Sequence, residues 1–269
     1  MRLVDGFIFY NEFQILNYRL HLLFDVVDAF IVVEATHTFM GTPKPLFFKE
    51  NSHLFEKFKS KIIHVVVDNV PHLPPNVEKG EQWNNENHQR NSIQLGLQHL
   101  ALEGNDLIMI TDVDEIPDPR TLTRIKSGGM IPFSILRMDL YYYNLCTRFE
   151  TKWYHPKIIS YQEYTRCGKS CSELRLTATS EVIQDGGWHL SYFGSPLFIQ
   201  NKTKAFSHQE FNNEENTDLS VIQQRIQKGT DIYNRASNRI AHVPIQENTY
   251  LPLGYELFFF SYAIPNVIS

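Results

Sequence analysis

Residues 107–117 read LIMITDVDEIP. The first five, mostly apolar, are too short for a helix and predict a buried strand. Asp112, Asp114 and Glu115 then arrive within four positions, and Pro117 and Pro119 end the strand in a turn. A buried strand that ends in clustered acids places negative charge at the carboxyl edge of a sheet, where open α/β sheets bind ligands. Carboxylates this close repel one another unless a cation or hydrogen-bond donors offset them. Hard oxygen ligands on a tight turn suit Mn²⁺ or Mg²⁺, which commonly share coordination with substrate phosphates. The plainer alternative is a charged loop that caps a helix starting near Pro119.

The sequence around this run alternates strand and helix. Residues 3–10 predict a strand and 12–24 a helix, with Phe13, Leu16, Leu20, Leu23 and Phe24 at helical spacing. Residues 26–27 and 30–34 predict a second strand, giving a βαβ unit with parallel pairing. A short helix over 52–60, a β-branched strand over 62–67 that reads as central, and a helix over 83–102 follow. Beyond a short helix at 122–126 the pattern changes. Residues 133–143 predict an aromatic strand, 157–161 and 173–178 weaker strands, and 185–192 a turn running into a strand or site loop. Residues 218–228 predict a helix closed by Gly229. The run 257–263 predicts a docked terminal strand or helix, with a membrane-touching tail as the alternative. The expected architecture is α/β: a mostly parallel central sheet flanked by helices in a single domain over 1–269. Residues 1–120 form a nucleotide-type half and 121–269 a half that closes over it.

With 42% hydrophobic and 20% charged residues the composition is that of a globular protein. A net charge of −5 without a Lys/Arg run argues against nucleic-acid binding and a polybasic membrane patch. There is no signal-peptide apolar region and no 18-residue apolar span, so no transmembrane segment is expected. Cys146, Cys167 and Cys171 lack the spacing of a zinc site. Their odd number and low density fit a reducing compartment, and the expected location is cytoplasmic.

Other residues are candidates for chemistry. His189 and Trp188 follow Gly186-Gly187, which would let backbone approach a ligand closely; the imidazole would serve as a metal ligand and the indole as a sugar platform. His208 and Glu210, on one face if their segment is a strand, make a pair for general-base work or metal binding. Arg90 would clamp phosphate, or pair with Glu86 one helical turn away. Lys44 lies in a loop of potential donors. Asn11, Glu12 and Glu34 close the first two strand edges, to contact a base or ribose or to cap a helix. Asn201-Lys202-Thr203 is a formal N-glycosylation sequon.

Taken in order, Phe9-Tyr-Asn-Glu12, Arg19-Leu20, Val27-Asp28, Val33-Glu-Ala35, Thr38-Phe-Met-Gly41, Lys44-Pro45, Glu86 with Gln89-Arg90, Asp112-Val-Asp-Glu-Ile-Pro117, Gly187-Trp-His-Leu-Ser191 and Phe206-Ser-His-Gln-Glu210 give the chain its resemblance. Over residues 5–235 it resembles glycosyltransferase family 17, the family of the bisecting N-acetylglucosaminyltransferases. The resemblance implies a GT-A-like fold, a UDP-sugar donor (UDP-GlcNAc), a glycan or glycoprotein acceptor and inverting transfer. It also implies Mn²⁺ held by Asp114, with Asp112 facing ribose or metal and His189 or His208 as a late metal ligand. Glu210 is the expected base, with Glu115 second. A metal-dependent phosphohydrolase or nucleotidyltransferase and a non-catalytic glycan-binding module are the competing classes.

Overall fold

The computed structural model describes residues 1–129 and 131–260. Its first half alternates as the hydrophobic pattern dictates. β1 (Leu3–Phe9) leads through α1 (Phe13–Leu23) to β2 (Ala29–Ala35), and a loop and the single turn α2 (Phe47–Glu50) precede β3 (Ile62–Val67). α3 (Glu81–Asn91) and α4 (Ile93–Leu97) then lead to β4 (Leu107–Asp112). These four strands are parallel in the order β4-β1-β2-β3. Side chains alternate across the strands. Leu107 and Met109 join Phe7, Phe30, Leu16 and Leu20 in the core on one face, while Ile108 and Ile110 join Ile31, Val33, Ile93 and Leu97 on the other. Burial on both faces explains why these strands read as continuous apolar runs.

Three expectations change here. Among the described residues β3 pairs only with β2, and it forms the edge of the sheet rather than its centre. Its β-branched run packs on one side, and Val66 stays exposed. The helix expected over 83–102 is two helices, broken where the Ser92 hydroxyl donates to the His88 carbonyl at 2.9 Å. Val26 and Val27 are buried in the turn before β2 rather than paired in it.

The second half turns the sheet mixed. β5 (Glu115–Pro117) and α5 (Pro119–Gly128) are followed by β6 (Ser134–Tyr142), β7 (Thr147–Trp153) and β8 (Lys157–Ser160). α6 (Tyr161–Cys167) and α7 (Cys171–Leu176) precede β9 (Val182–Ser191), and α8 (Pro196–Ala205), α9 (Glu214–Thr217), α10 (Leu219–Lys228), β10 (Ile240–His242) and α11 (Tyr255–Phe260) complete the order. β8 joins the two halves, antiparallel to both β4 and β6. β9 runs parallel to β6 and antiparallel to β5. The fold class is therefore α/β with a mixed central sheet flanked by helices, parallel through its first four strands.

Residues 173–178, expected as strand, belong mostly to α7. Ser170 caps that helix and Glu173 returns a bond to the Ser170 backbone, a capping box that outweighs the local alternation. The run 257–263 begins within α11, where Phe258 packs on Tyr18 and His21. Its residues after 260 lie outside the described residues. Among the described residues no helix is long and apolar enough to cross a membrane.

Candidate functional site

The carboxyl ends of β1, β2 and β4 lie level, because Ile8 stands beside Asp112 and Phe9 beside Glu34 in the ladder. A cavity of about 660 Å³ opens above them, within the usual range of small-molecule sites. Glu12, Lys44, Glu86, Arg90, Asp112, Asp114, His189 and His208 line it. So do residues the sequence reading passed over, among them Arg175, Lys202, Trp153 and His155.

The clustered acids are offset by fixed donors. Asp112 accepts from Arg90 at 3.0 Å and from Arg175 at 2.7 Å. Burial opposes its ionisation, but Arg175 and Arg90 outweigh that and hold the carboxyl below its ordinary range. Asp114 accepts from Lys202 at 3.0 Å and faces His189 Nε2 at 3.5 Å. Burial again works against the charge, and Lys202, then His189, pull this carboxyl far below the carboxylate range. Lys202 also reaches Glu12 at 3.1 Å, so one ammonium bridges two carboxylates, and its own affinity for a proton is raised against the cost of burial.

Glu115 is fully buried and does not line the cavity. Arg175 grips it at 2.8 and 2.5 Å, and it accepts the Asp112 backbone N–H at 2.8 Å. Its work is to brace the turn, which does not suit a base. The cap of α5 is a fourth acid, Asp118, whose side chain accepts the Arg120 N–H; the three carboxylates of the turn are thus not that helix's cap.

Beneath the turn lies Arg19, from α1. Its guanidinium binds Asp5 at 2.8 and 2.6 Å and Thr111 at 2.6 Å. It also donates to the carbonyls of Asp112, Val113 and Glu115 at 3.0, 3.2 and 2.7 Å. Five donors in a rigid fork can hold a turn from below in a way a single ammonium cannot.

The remaining expected residues divide. Glu12 holds the backbone between β1 and α1 with its other oxygen, accepting the N–H groups of Tyr10 and Asn11 at 3.1 Å each. Lys44 lies over the rings of Tyr10 and Phe47, and burial lowers its proton affinity. Arg90 joins Glu86 at 2.8 Å as well as Asp112, so the helical pair and the site contact coexist. Glu34 is off the cavity, where it accepts the Phe48 and Lys49 backbone N–H groups and faces His64; of the two roles expected, it takes the helix cap. Asn11 is buried and also off the cavity.

Trp188 is a core residue. It is fully buried, stacks on Tyr250 and donates to the Tyr250 carbonyl at 3.1 Å, so it offers no platform to a sugar. Gly186 and Gly187 serve sheet packing in place of ligand approach. A Cβ on Gly187 would lie 2.1 Å from the Ile116 carbonyl oxygen and one on Gly186 2.6 Å from the Leu136 backbone, so β9 fits between β5 and β6 only without side chains there. His208 and Glu210 stand beside and within a one-turn 3-10 helix, Gln209–Phe211, rather than on a strand. They are still partners, at 2.6 Å.

Two local signals place the missed cations on helices, though neither marks them as site residues. The Ser170-x-x-Glu173 capping box places Arg175 on a helix, and Ser195-Pro196 marks the start of the helix that carries Lys202. That helix also holds the sequon, with Thr203 buried and its hydroxyl donating to the Ile199 carbonyl at 2.9 Å.

No three His, Cys, Asp or Glu side chains among the described residues converge as a preformed metal site. Asp112 and Asp114 are hard ligands of the kind Mn²⁺ and Mg²⁺ accept when substrate phosphates and water complete the shell. The residues therefore fit a cation whose shell is completed from outside the protein and do not form an all-protein cage.

Comparison with known proteins gives these features a family. Residues 1–245 match the sequence model of glycosyltransferase family 17. The proteins named beta-1,4-mannosyl-glycoprotein 4-beta-N-acetylglucosaminyltransferase from Rattus norvegicus and Homo sapiens are each 34% identical to the chain over 147 residues, and the one from Mus musculus is 33% identical. The alignment covers 52% of this chain and 27% of each relative, so the chain matches about a quarter of the length of these proteins. The chain belongs to glycosyltransferase family 17.

Proposed function

We propose that the chain transfers a sugar from a nucleotide-sugar donor, UDP-GlcNAc, to a hydroxyl of a glycan acceptor, with inversion at the anomeric carbon. The observation that carries this reading is the cavity at the carboxyl ends of β1 and β4, where family membership and a polar floor of paired acids and cations coincide. We read the fold as GT-A-like: residues 1–120 supply the donor edge of the sheet, and 121–269, through α7, α8 and the aromatic wall, supply the acceptor side.

Arg90, Arg175 and Lys202 orient the carboxylates of the floor and keep them ionised. Asp114, with Asp112 behind it, would hold Mn²⁺ or Mg²⁺ brought in by the diphosphate. When bound, that ion offsets negative charge on the departing nucleoside diphosphate. Trp153, tilted against both His155 and His189 with centroids 4.5 Å from each, walls the floor from the acceptor side. Binding a substrate between such walls excludes water and holds the acceptor hydroxyl against the reacting carbon.

Melting of the wild type and Asp114→Ala, with UDP-GlcNAc and with or without Mn²⁺, tests the proposal. A ligand that binds only the native state raises the melting temperature by mass action. The expected outcome is a rise in the wild type that Asp114→Ala loses. The absence of a rise with any UDP-sugar, with or without metal, refutes the donor assignment.

A further inference from the structure

The segment after α8 reads Phe206-Ser-His-Gln-Glu-Phe211, is tied to α3, and leaves the side chains of His208 and Glu210 partly exposed. Ser207 is fully buried, and its backbone and hydroxyl both bond to Gln82. The His208 ring stands edge-on to Trp83, with centroids 4.6 Å apart, between Phe206 and Phe211. His208 Nδ1 lies 2.6 Å from Glu210 Oε1. An ionised carboxylate only accepts, so Nδ1 carries the hydrogen and donates it. In the neutral ring the free lone pair then belongs to Nε2, which has no hydrogen-bond partner among the described residues. His208 lines the cavity and Glu210 does not. The carboxylates on the cavity floor, Glu12, Asp112 and Asp114, are each already bound by a cation, and Glu86 is bound by Arg90.

We propose that His208 is the general base of the transfer and Glu210 its positioning residue, an assignment that rests on the glycosyl-transfer reading. The acceptor hydroxyl oxygen forms the new bond to the anomeric carbon, and its proton passes to His208 Nε2. The bond from that carbon to the donor phosphate breaks, and its electron pair leaves on the nucleoside diphosphate. Glu210 fixes the tautomer and stabilises the imidazolium through the Nδ1–H bond, the logic of a histidine oriented by a carboxylate.

The test uses the full chain with UDP-GlcNAc and a β-1,4-mannosyl glycoprotein as acceptor. It reads transfer rate, melting temperature and the melting shift caused by UDP-GlcNAc. His208→Ala is expected to lose about 10²-fold or more in kcat, the scale of general-base catalysis, with the donor-induced shift unchanged. Added imidazole is expected to restore part of that loss, which a merely structural defect would not allow. Glu210→Ala is expected to lower kcat about tenfold with KM unchanged and no rescue by imidazole, while Glu210→Gln keeps most of the rate because its amide oxygen still accepts from Nδ1. His208→Gln, read alongside, separates loss of the base from loss of packing around Trp83. A wild type that binds and transfers, beside a His208→Ala within threefold of it or beyond rescue by imidazole, overturns the base assignment alone. A wild type with neither donor-induced shift nor transfer overturns the transfer reading and the base with it.

Discussion

Arg19 should be the most costly single side chain to remove from this site, although it does not line the cavity. The test is Arg19→Leu. It deletes both bonds to Asp5, the bond to Thr111 and the donors to three carbonyls of the acidic turn. Asp5 is fully buried between β2 and β4 and keeps its carboxylate without a counter-charge. Breaking a buried pair from one side costs about 3–5 kcal/mol, and the unpaired carbonyls push the value toward the upper end. That is roughly two to four powers of ten in the folding equilibrium. Urea denaturation of the two proteins measures it directly. Asp5→Leu with Arg19→Leu should recover a large part, since an apolar pair leaves no orphaned charge. Arg19→Lys should not match the wild type, because one ammonium cannot reach Asp5 and the turn carbonyls together. An Arg19→Leu protein within about 1 kcal/mol of wild type, with its UDP-GlcNAc response intact, would show that Arg19 does not hold the acidic turn.

Other perturbations follow from the same structure. Gly187→Ala should lose about 2–5 kcal/mol and separate β5 from β9, since the new methyl meets the Ile116 carbonyl and the backbone sits at φ +140°; a thermal melt matching wild type would contradict this. Burial, followed by Arg175, lowers Lys157 to about 8. Below that value both folded and unfolded chains carry the proton and the folded state bears the full cost; as pH rises from about 8 toward the ordinary 10.5 the folded chain has released it and stability is gained. The stability difference between wild type and Lys157→Met should therefore shift in favour of wild type across that window, and a pH-independent difference would count against the assignment. Burial pushes the Cys171 thiol up to about 11, so iodoacetamide at neutral pH should label the half-exposed Cys146 and Cys167 and spare Cys171 in the folded protein; equal labelling of all three would show that α7 does not stay docked.

Much of the cavity's edge along the parallel strands was legible in the sequence, because hydrophobic alternation and chain order are local signals. β1, α1, β2 and β4 lie where the pattern put them, and Asp112 and Asp114 stand at the strand end. What was not legible depends on contacts between distant segments. Arg175 and Lys202 lie 63 and 88 residues from the aspartates they hold, and nothing near them in sequence marks either as part of the site. Glu34 and Glu115 are acids at strand ends, like Asp112, but backbone amides and Arg175 draw them behind the wall. Edge or centre position is equally non-local, which is why β3 misleads. Trp188 and the two glycines carry a motif whose first physical duty is sheet packing.

The helix that delivers Lys202 to the acids also carries an acceptor sequence for N-linked glycan on the residues either side of that lysine. In the folded chain Thr203 is sealed in and donates to Ile199, so an oligosaccharyltransferase would find the tripeptide only before α8 docks. Asn201, which would carry the glycan, is half-buried next to Lys202, so the glycan would have to fit beside the ammonium that Glu12 and Asp114 share. Produced in a compartment that adds such glycans, the chain would divide into an unmodified fraction and a modified fraction with a bulky group beside that ammonium. Choice of expression host thus becomes a variable that acts on the site itself.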